Sequence, residues 1–188
     1  MTNIFFMRAA LLGYPARVRK KCHPTKVGVR RAPRLRKFCC VTIEQKLALR
    51  KSFQAVEAAP VVAALIFYRR LFELDPALRP LFKTDIEIQS AKLVEMLRVC
   101  LALLERQGAL EKELEELGAR HAGYGVKHEH YAVVGQALLE MLDAVQQRAF
   151  DSFTRNAWVE LYAVIQTTML RGAASALGPR PGLEARKA

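Results

Sequence analysis

The feature that most constrains the fold is an apolar repeat of three to four residues that runs from Thr42 to about residue 176. Such a repeat places apolar side chains on one face of an α-helix, whereas a half-buried strand alternates with a period of two. No strand-like alternation is visible, and prolines and glycines cut the repeat into helical lengths. The predicted helices span about 43–59, 60–74, 85–106, 111–121, 127–148 and 151–176. The sequence therefore predicts one all-α domain over residues 41–176, followed by a flexible tail over 177–188.

The net charge of +12 belongs to one end of the chain. Residues 1–43 hold eleven of the 30 basic residues and none of the 18 acidic ones, so residues 44–188 are nearly neutral. Residues 1–40 show no sustained apolar repeat and carry three prolines, which predicts a disordered basic extension with at most a helix over about 3–12. The net charge of the helical domain itself therefore does not point to a nucleic-acid partner.

Three interpretations of residues 1–40 are open. The segment is an upstream extension outside the native protein, with translation starting near Val41, or an Arg-rich organelle presequence, or an arm that binds anions such as nucleic acid or lipid. The first is favoured because Thr42 supplies a hydroxyl cap and Glu44 an early acid for a new helix. The four cysteines form no C-x-x-C pair, and no apolar run reaches membrane-spanning length. We therefore expect free thiols and a cytoplasmic location.

Candidate polar residues stand singly among apolar ones on the predicted inner faces. Tyr68 shares a face with Val61, Leu65 and Phe72 on the second helix. Gln89 and Tyr131 each come about one turn before an apolar position on their own helices. The inner faces of the second, third and fifth helices hold no acid, which argues against general acid–base hydrolysis. Two interpretations are open. These residues line a mostly apolar pocket that holds a few polar groups, or each is a separate polar residue of the core with its hydrogen bonds satisfied.

His121 is the most informative of these residues. Helical steps back from it reach Leu117, Leu114 and Leu110, so the imidazole lies in line with a leucine stripe. Gly108 is predicted to end the third helix, and glycines at 123 and 125 the fourth. A zinc site is not favoured, because His128 and His130 are spaced so that they point to opposite flanks of their helix. One imidazole without a rival ligand suits an axial metal ligand better than a metal cage, and a core histidine is the alternative.

From Val41 to about Ala174 the chain resembles the globins, and most of all the bacterial single-domain, flavohaemoglobin-like branch. The resemblance is carried by several short motifs, none of which is specific alone: Phe67-Tyr68 with Leu71-Phe72, Pro80-Leu81-Phe82, Gln89 to Leu93, His121 with Tyr124-Gly125-Val126, His130 to Leu139, and Trp158 with Tyr162. The resemblance implies a globin fold, a helical sandwich around a haem pocket, with haem b as the cofactor.

The resemblance also implies roles for individual residues. His121 matches the proximal iron ligand, and Phe82 the aromatic residue that wedges the haem. Gln89 matches the distal residue, Leu93 the apolar residue over the iron, and Tyr68 the distal tyrosine, with Tyr131 behind the proximal histidine. Val126 is the remaining residue we expect at the haem. Two hydrogen-bond donors on the distal side would stabilise a gas ligand that carries partial negative charge.

One departure from the family pattern bears on activity. The flavohaemoglobin-like branch has a glutamate on the last helix that joins the proximal network, and Ala173 stands at the matching position here. We therefore expect reversible binding of O2, with NO and CO as further ligands, for oxygen storage, delivery or transport. NO detoxification would need an external reductase as partner. A haem-based gas sensor that signals through a partner is the alternative.

Overall fold

The computed structural model describes residues 41–82 and 86–178, apart from the side chains of residues 86 and 87. The predicted extension over 1–40, the helix within it and most of the predicted C-terminal tail lie outside these residues. The described helices are α1 (Ile43–Ala58), α2 (Pro60–Leu74), α3 (Ile86–Ala102), α4 (Gln107–Gly123), α5 (His128–Gln146) and α6 (Ser152–Leu177). Two short 3-10 helices, Pro76–Leu81 and Gln147–Ala149, precede α3 and α6. None of the described helices combines the length and apolar character needed to cross a bilayer.

Local sequence sets where the helices begin. Thr42 and Gln45 form a capping box, in which the Thr42 hydroxyl accepts from the Gln45 backbone N–H at 3.2 Å and the Gln45 side chain accepts from the Thr42 N–H at 2.7 Å. Pro60 lies in the first turn of α2, where its missing N–H costs nothing. Asp151 caps α6 by accepting from the Thr154 backbone N–H at 2.7 Å. The predicted starts of these three helices are therefore within about one residue of the observed ones.

The predicted boundaries around α4 were less accurate. Gly108 was predicted to end the third helix, but it lies in the first turn of α4. Gly123 is the last residue of α4 and does not break it, and the backbone turns at Gly125, which has φ of +83°. Glycine adopts this left-handed conformation without steric cost, so the break predicted at this end of the helix depends on Gly125.

The core is formed where α6 crosses α1 and α4, and where α2 packs on α5 and α3. Trp158 of α6 is fully buried, and its indole N–H donates to the Ser52 hydroxyl of α1 at 2.7 Å. The predicted inner face of α2 was wrong for Val61 and Leu65, which are 57% and 48% exposed. The buried residues of α2 are Ala63, Ala64, Phe67, Tyr68 and Leu71.

The two helices that carry Gln89, Leu93 and His121 pack on different neighbours. In the described part of the chain, α3 packs on α2 and α1, whereas the close backbone contacts of α4 are with α6. Although α3 and α4 are consecutive, neither is the main support of the other. Gln89 and Leu93 lie on α3 and His121 lies on α4, so these three candidate residues belong to two separately supported helices.

Candidate functional site

Tyr68 lies among aromatic rings at the junction of α2, the first 3-10 helix and α3. Its ring centroid is 5.4 Å from that of Phe82 and 6.1 Å from that of Phe72. The side chain is 5% exposed, and burial raises the pKa of its hydroxyl to about 12. The hydroxyl donates to the backbone carbonyl of Gln89 at 3.2 Å. Three of the predicted residues, Tyr68, Phe82 and Gln89, are therefore in one cluster.

Arg79 lies at the edge of this aromatic cluster. The guanidinium of Arg79 lies 4.7 Å from the centre of the Phe72 ring, in a cation–π contact. Phe72 in turn meets Phe82 edge-on at 5.5 Å. Phe82 follows directly after the 3-10 helix Pro76–Leu81, whose start is fixed by Asp75 accepting from the Ala77 N–H at 3.0 Å. The short helix therefore places the predicted wedge residue against the tyrosine.

Gln89 and Leu93 occupy the same side of α3, one turn apart. Both are partly exposed, and Leu93 also packs against the apolar core. The Gln89 side-chain amide makes no hydrogen bond to another described residue, while its backbone carbonyl accepts from Tyr68. No described residue therefore accepts from this amide, and it lies one turn from Leu93, which is itself partly exposed.

His121 sits in the last turn of α4 and is held by its own helix. Its Nδ1 lies 2.9 Å from the carbonyl oxygen of Leu117. A carbonyl only accepts, so Nδ1 carries the hydrogen and Nε2 of the neutral ring keeps a free lone pair. Burial lowers the pKa of His121, against the raising effect of the Leu117 carbonyl, and nearby Arg120 lowers it further. The neutral form, which is the form that binds a metal, is therefore favoured.

Val126 and Tyr131 flank the turn between α4 and α5. The Val126 N–H donates to the His121 carbonyl at 3.1 Å, and the Val126 side chain is partly buried against the core. Tyr131 is 6% exposed, and burial raises the pKa of its hydroxyl. That hydroxyl is buried without a hydrogen-bond partner among the described residues, whereas the Tyr131 carbonyl accepts from the Tyr162 hydroxyl at 2.5 Å. A buried unpaired hydroxyl is costly, and a bound group could satisfy it.

The chemistry of these side chains is compatible with a bound haem. One neutral imidazole has an unused Nε2, and the apolar side chains of Phe82, Leu93 and Val126 pack on the core while staying partly exposed. A single nitrogen ligand within apolar surroundings is the donor set of an axial haem ligand. Sequence analysis missed the Leu117 carbonyl, because a backbone acceptor leaves no side-chain pattern.

Comparison with known proteins gives the family. The globin family model matches residues 65–169. The neuroglobin of Tetraodon nigroviridis is 30% identical over 143 residues, which cover 69% of this chain and 90% of that protein.

Solved structures agree on the fold. A hexacoordinated heme protein from an anhydrobiotic tardigrade has a TM-score of 0.65 at 15% identity, covering 71% of this chain and 95% of that one. A bacterial globin from Campylobacter jejuni has a TM-score of 0.63 at 22% identity, covering 71% and 97%. The family model covers more than half of the 188 residues, and the neuroglobin match extends over two thirds of the chain. The chain therefore belongs to the globin family, has the family's all-α fold, and is a haem protein by that membership.

Proposed function

We propose that this protein binds haem b through Nε2 of His121 and binds O2 reversibly, with NO and CO as further ligands. The observation that carries the proposal is the bond from His121 Nδ1 to the Leu117 carbonyl at 2.9 Å. This bond fixes the tautomer and leaves the other nitrogen of a half-buried ring to act as a ligand. Bound haem supplies the iron to which a diatomic gas attaches.

The proximal side supports reversible binding over oxidative chemistry. The acceptor for the His121 N–H is a neutral carbonyl, which raises the basicity of the ring less than a carboxylate would. The sequence has no acid between Glu160 and Glu184, so the part of α6 beyond Glu160 offers none. Ala173 stands where the flavohaemoglobin-like branch has its glutamate. We infer that His121 acts as a neutral anchor.

On the distal side, Gln89 and Tyr68 are the proposed donors to a bound gas. The Gln89 amide has no partner among the described residues, and Tyr68 brings a buried hydroxyl to the same turn of α3. In surroundings of low dielectric, such donors stabilise a ligand that carries partial negative charge. This pair is what favours the bacterial single-domain branch, although the neuroglobin of Tetraodon nigroviridis is also similar.

The first test is the absorption spectrum of protein expressed with haem available. Wild-type protein should show a Soret band, His121→Gly should lose it, and added imidazole should restore it. His128→Gly is the matched control, because His128 is exposed at the start of α5 and should leave the spectrum unchanged. A wild-type protein that takes up no haem, or a His121→Gly protein that binds it normally, would refute the assignment.

The second test separates oxygen storage or delivery from NO detoxification. NO consumption by the oxygenated protein is followed in a stopped-flow instrument, with and without a cellular reductase and its reduced cofactor. Multiple turnovers that need the reductase would establish NO detoxification with an electron donor in trans. A single turnover under both conditions would leave reversible gas binding as the role.

A further inference from the structure

Helices α4 and α6 cross with their backbones in contact, and each contributes a glycine to the crossing. A β-carbon added at Gly118 of α4 would overlap the backbone carbonyl of Met169. A β-carbon added at Gly172 of α6 would overlap the backbone carbonyl of Glu115. Every other residue type carries this carbon, so the observed approach of the two helices requires glycine at both positions.

Charged side chains fasten the same crossing from outside. Arg171, next to Gly172, donates from Nε to the Glu115 carboxylate at 2.5 Å. Another nitrogen of its guanidinium lies 3.5 Å from the carboxylate of Glu111, one turn earlier on α4. Exposed ion pairs are weak one by one, but both of these join α6 to the turns of α4 that lead to the crossing.

The turn of α4 that receives α6 is also the turn that holds the His121 ring. Leu117 lies between the crossing residues Glu115 and Gly118 in the sequence. Its carbonyl accepts the Nδ1–H of His121 at 2.9 Å. Within a helix the backbone of residues 115–118 moves as a unit, because successive i to i−4 hydrogen bonds link it. A displacement of α6 against this turn therefore displaces the acceptor that orients the imidazole.

We propose that the Gly118–Gly172 crossing is the positioning element for His121. It rests on the proposed function in that His121 is taken as the iron ligand. By fixing the Leu117 carbonyl, the crossing sets the tautomer of the ring and the direction of Nε2. Substitution of a group that orients a metal ligand, without itself touching the metal, typically lowers metal affinity by about 10- to 100-fold. In this chain that support comes from backbone packing, with Ala173 beside Gly172 in place of an acid.

The variants are Gly118→Ala and Gly172→Ala, each of which adds one carbon at the crossing. Gly108→Ala is the matched control, because it makes the same change on α4 where an added β-carbon meets nothing within 4 Å. Ser52→Ala controls for lost stability, since it removes the buried partner of Trp158 far along α6 from the crossing.

In haem-loaded protein the readouts are the iron–histidine stretching band of the ferrous form and the rate of haem transfer to apomyoglobin. Both crossing variants should shift the band to lower wavenumber, because a weaker Nδ1–H bond makes the ring a weaker donor. Haem loss should become about 10-fold faster. Both controls should keep the wild-type band. A wild-type band in both crossing variants would overturn the proposal.

A haem-free readout keeps this proposal distinct from the proposed function. Two-bond proton–nitrogen NMR of the histidine rings at alkaline pH reports which nitrogen carries the hydrogen. Wild-type and Gly108→Ala proteins should show His121 as the Nδ1–H tautomer, and the crossing variants should gain the Nε2–H tautomer. If neither crossing variant folds, Arg171→Ala removes both ion pairs without a clash and should show a smaller gain. An unchanged tautomer would overturn the crossing, whereas failure to bind haem with the expected tautomers would overturn only the proposed function.

Discussion

Gln89→Ala should speed O2 dissociation much more than Tyr68→Phe, because among the described residues only the Tyr68 donor already has a hydrogen-bond acceptor. The single hydroxyl hydrogen of Tyr68 already bonds to the Gln89 carbonyl at 3.2 Å. Donation to a gas ligand therefore exchanges one hydrogen bond for another, and only the difference stabilises the bound state. A net hydrogen bond contributes about 0.5–1.5 kcal/mol. We expect Tyr68→Phe to fall at the low end, at about 0.5–1 kcal/mol or roughly 2- to 5-fold in rate.

The Gln89 amide has no such bond to give up within the described residues. Its donation to a ligand with partial negative charge should contribute about 1–3 kcal/mol, which is roughly 5- to 150-fold in dissociation rate. The structure thus ranks two residues that the resemblance treats as a pair.

The assay is stopped-flow displacement of O2 by CO, with Ser52→Ala as the control for loss of a buried hydroxyl elsewhere in the core. Ser52→Ala should keep the wild-type rate. A larger effect for Tyr68→Phe than for Gln89→Ala would refute the inference that the bond from the Tyr68 hydroxyl to the Gln89 carbonyl limits donation to the gas. Wild-type rates in both variants would refute the distal pair itself.

Three further predictions concern stability. Tyr131→Phe should raise the free energy of unfolding of the haem-free protein by about 1–3 kcal/mol, since it removes a buried hydroxyl that has no partner among the described residues; denaturant melts that show a loss would contradict this. Ser52→Ala should lower it by about 1–3 kcal/mol in the same melts, because it leaves the Trp158 N–H buried and unpaired. Burial raises the Tyr68 pKa from 10.0 to about 12, so the unfolded chain loses this proton first as pH rises. The stability that Tyr68 contributes below pH 10 should therefore fall by up to about 3 kcal/mol between pH 10 and 12, and Tyr68→Phe should lose less over that range.

Sequence patterns predicted the helices well where a chemical signal marks the boundary. The Thr42 capping box and Pro60 each mark a helix start by a hydrogen-bonding or steric property of one residue. The prediction at Gly108 was wrong because glycine occurs both at the ends of helices and within them. Only the packed structure distinguishes these uses.

The buried face of α2 could not be read from periodicity. The helix begins with a run of apolar residues, so more than one stripe satisfies a spacing of three and four. Small side chains decide the matter, since Ala63 and Ala64 are fully buried while Val61 and Leu65 stay exposed. Close approach of another helix selects alanines, and the sequence does not show which helix will approach.

Sequence patterns single out candidate site residues where the relevant chemistry lies in side chains. His121 stood out because an imidazole interrupts a leucine stripe, and Tyr68, Phe82 and Gln89 do lie together in the structure. The Leu117 carbonyl and the glycine crossing were not predictable. One is a backbone atom, and the other depends on two segments more than 50 residues apart in the chain.

The single N–H of neutral His121 can bond to only one acceptor, which bears on the lack of an acid at position 173. A neutral imidazole has one N–H, and in this structure that hydrogen is given to the Leu117 carbonyl of the same helix. A carboxylate introduced at position 173 would gain it only by displacing that carbonyl, against a turn that α6 holds in place through Gly172. Under the proposed function, the Leu117 carbonyl of α4 is therefore the acceptor that orients the His121 ring. In variants that leave this proximal bond unchanged, such as Gln89→Ala and Tyr68→Phe, differences in gas affinity should arise on the distal side, where no described residue accepts from the Gln89 amide and the Tyr68 hydroxyl already donates to the Gln89 carbonyl.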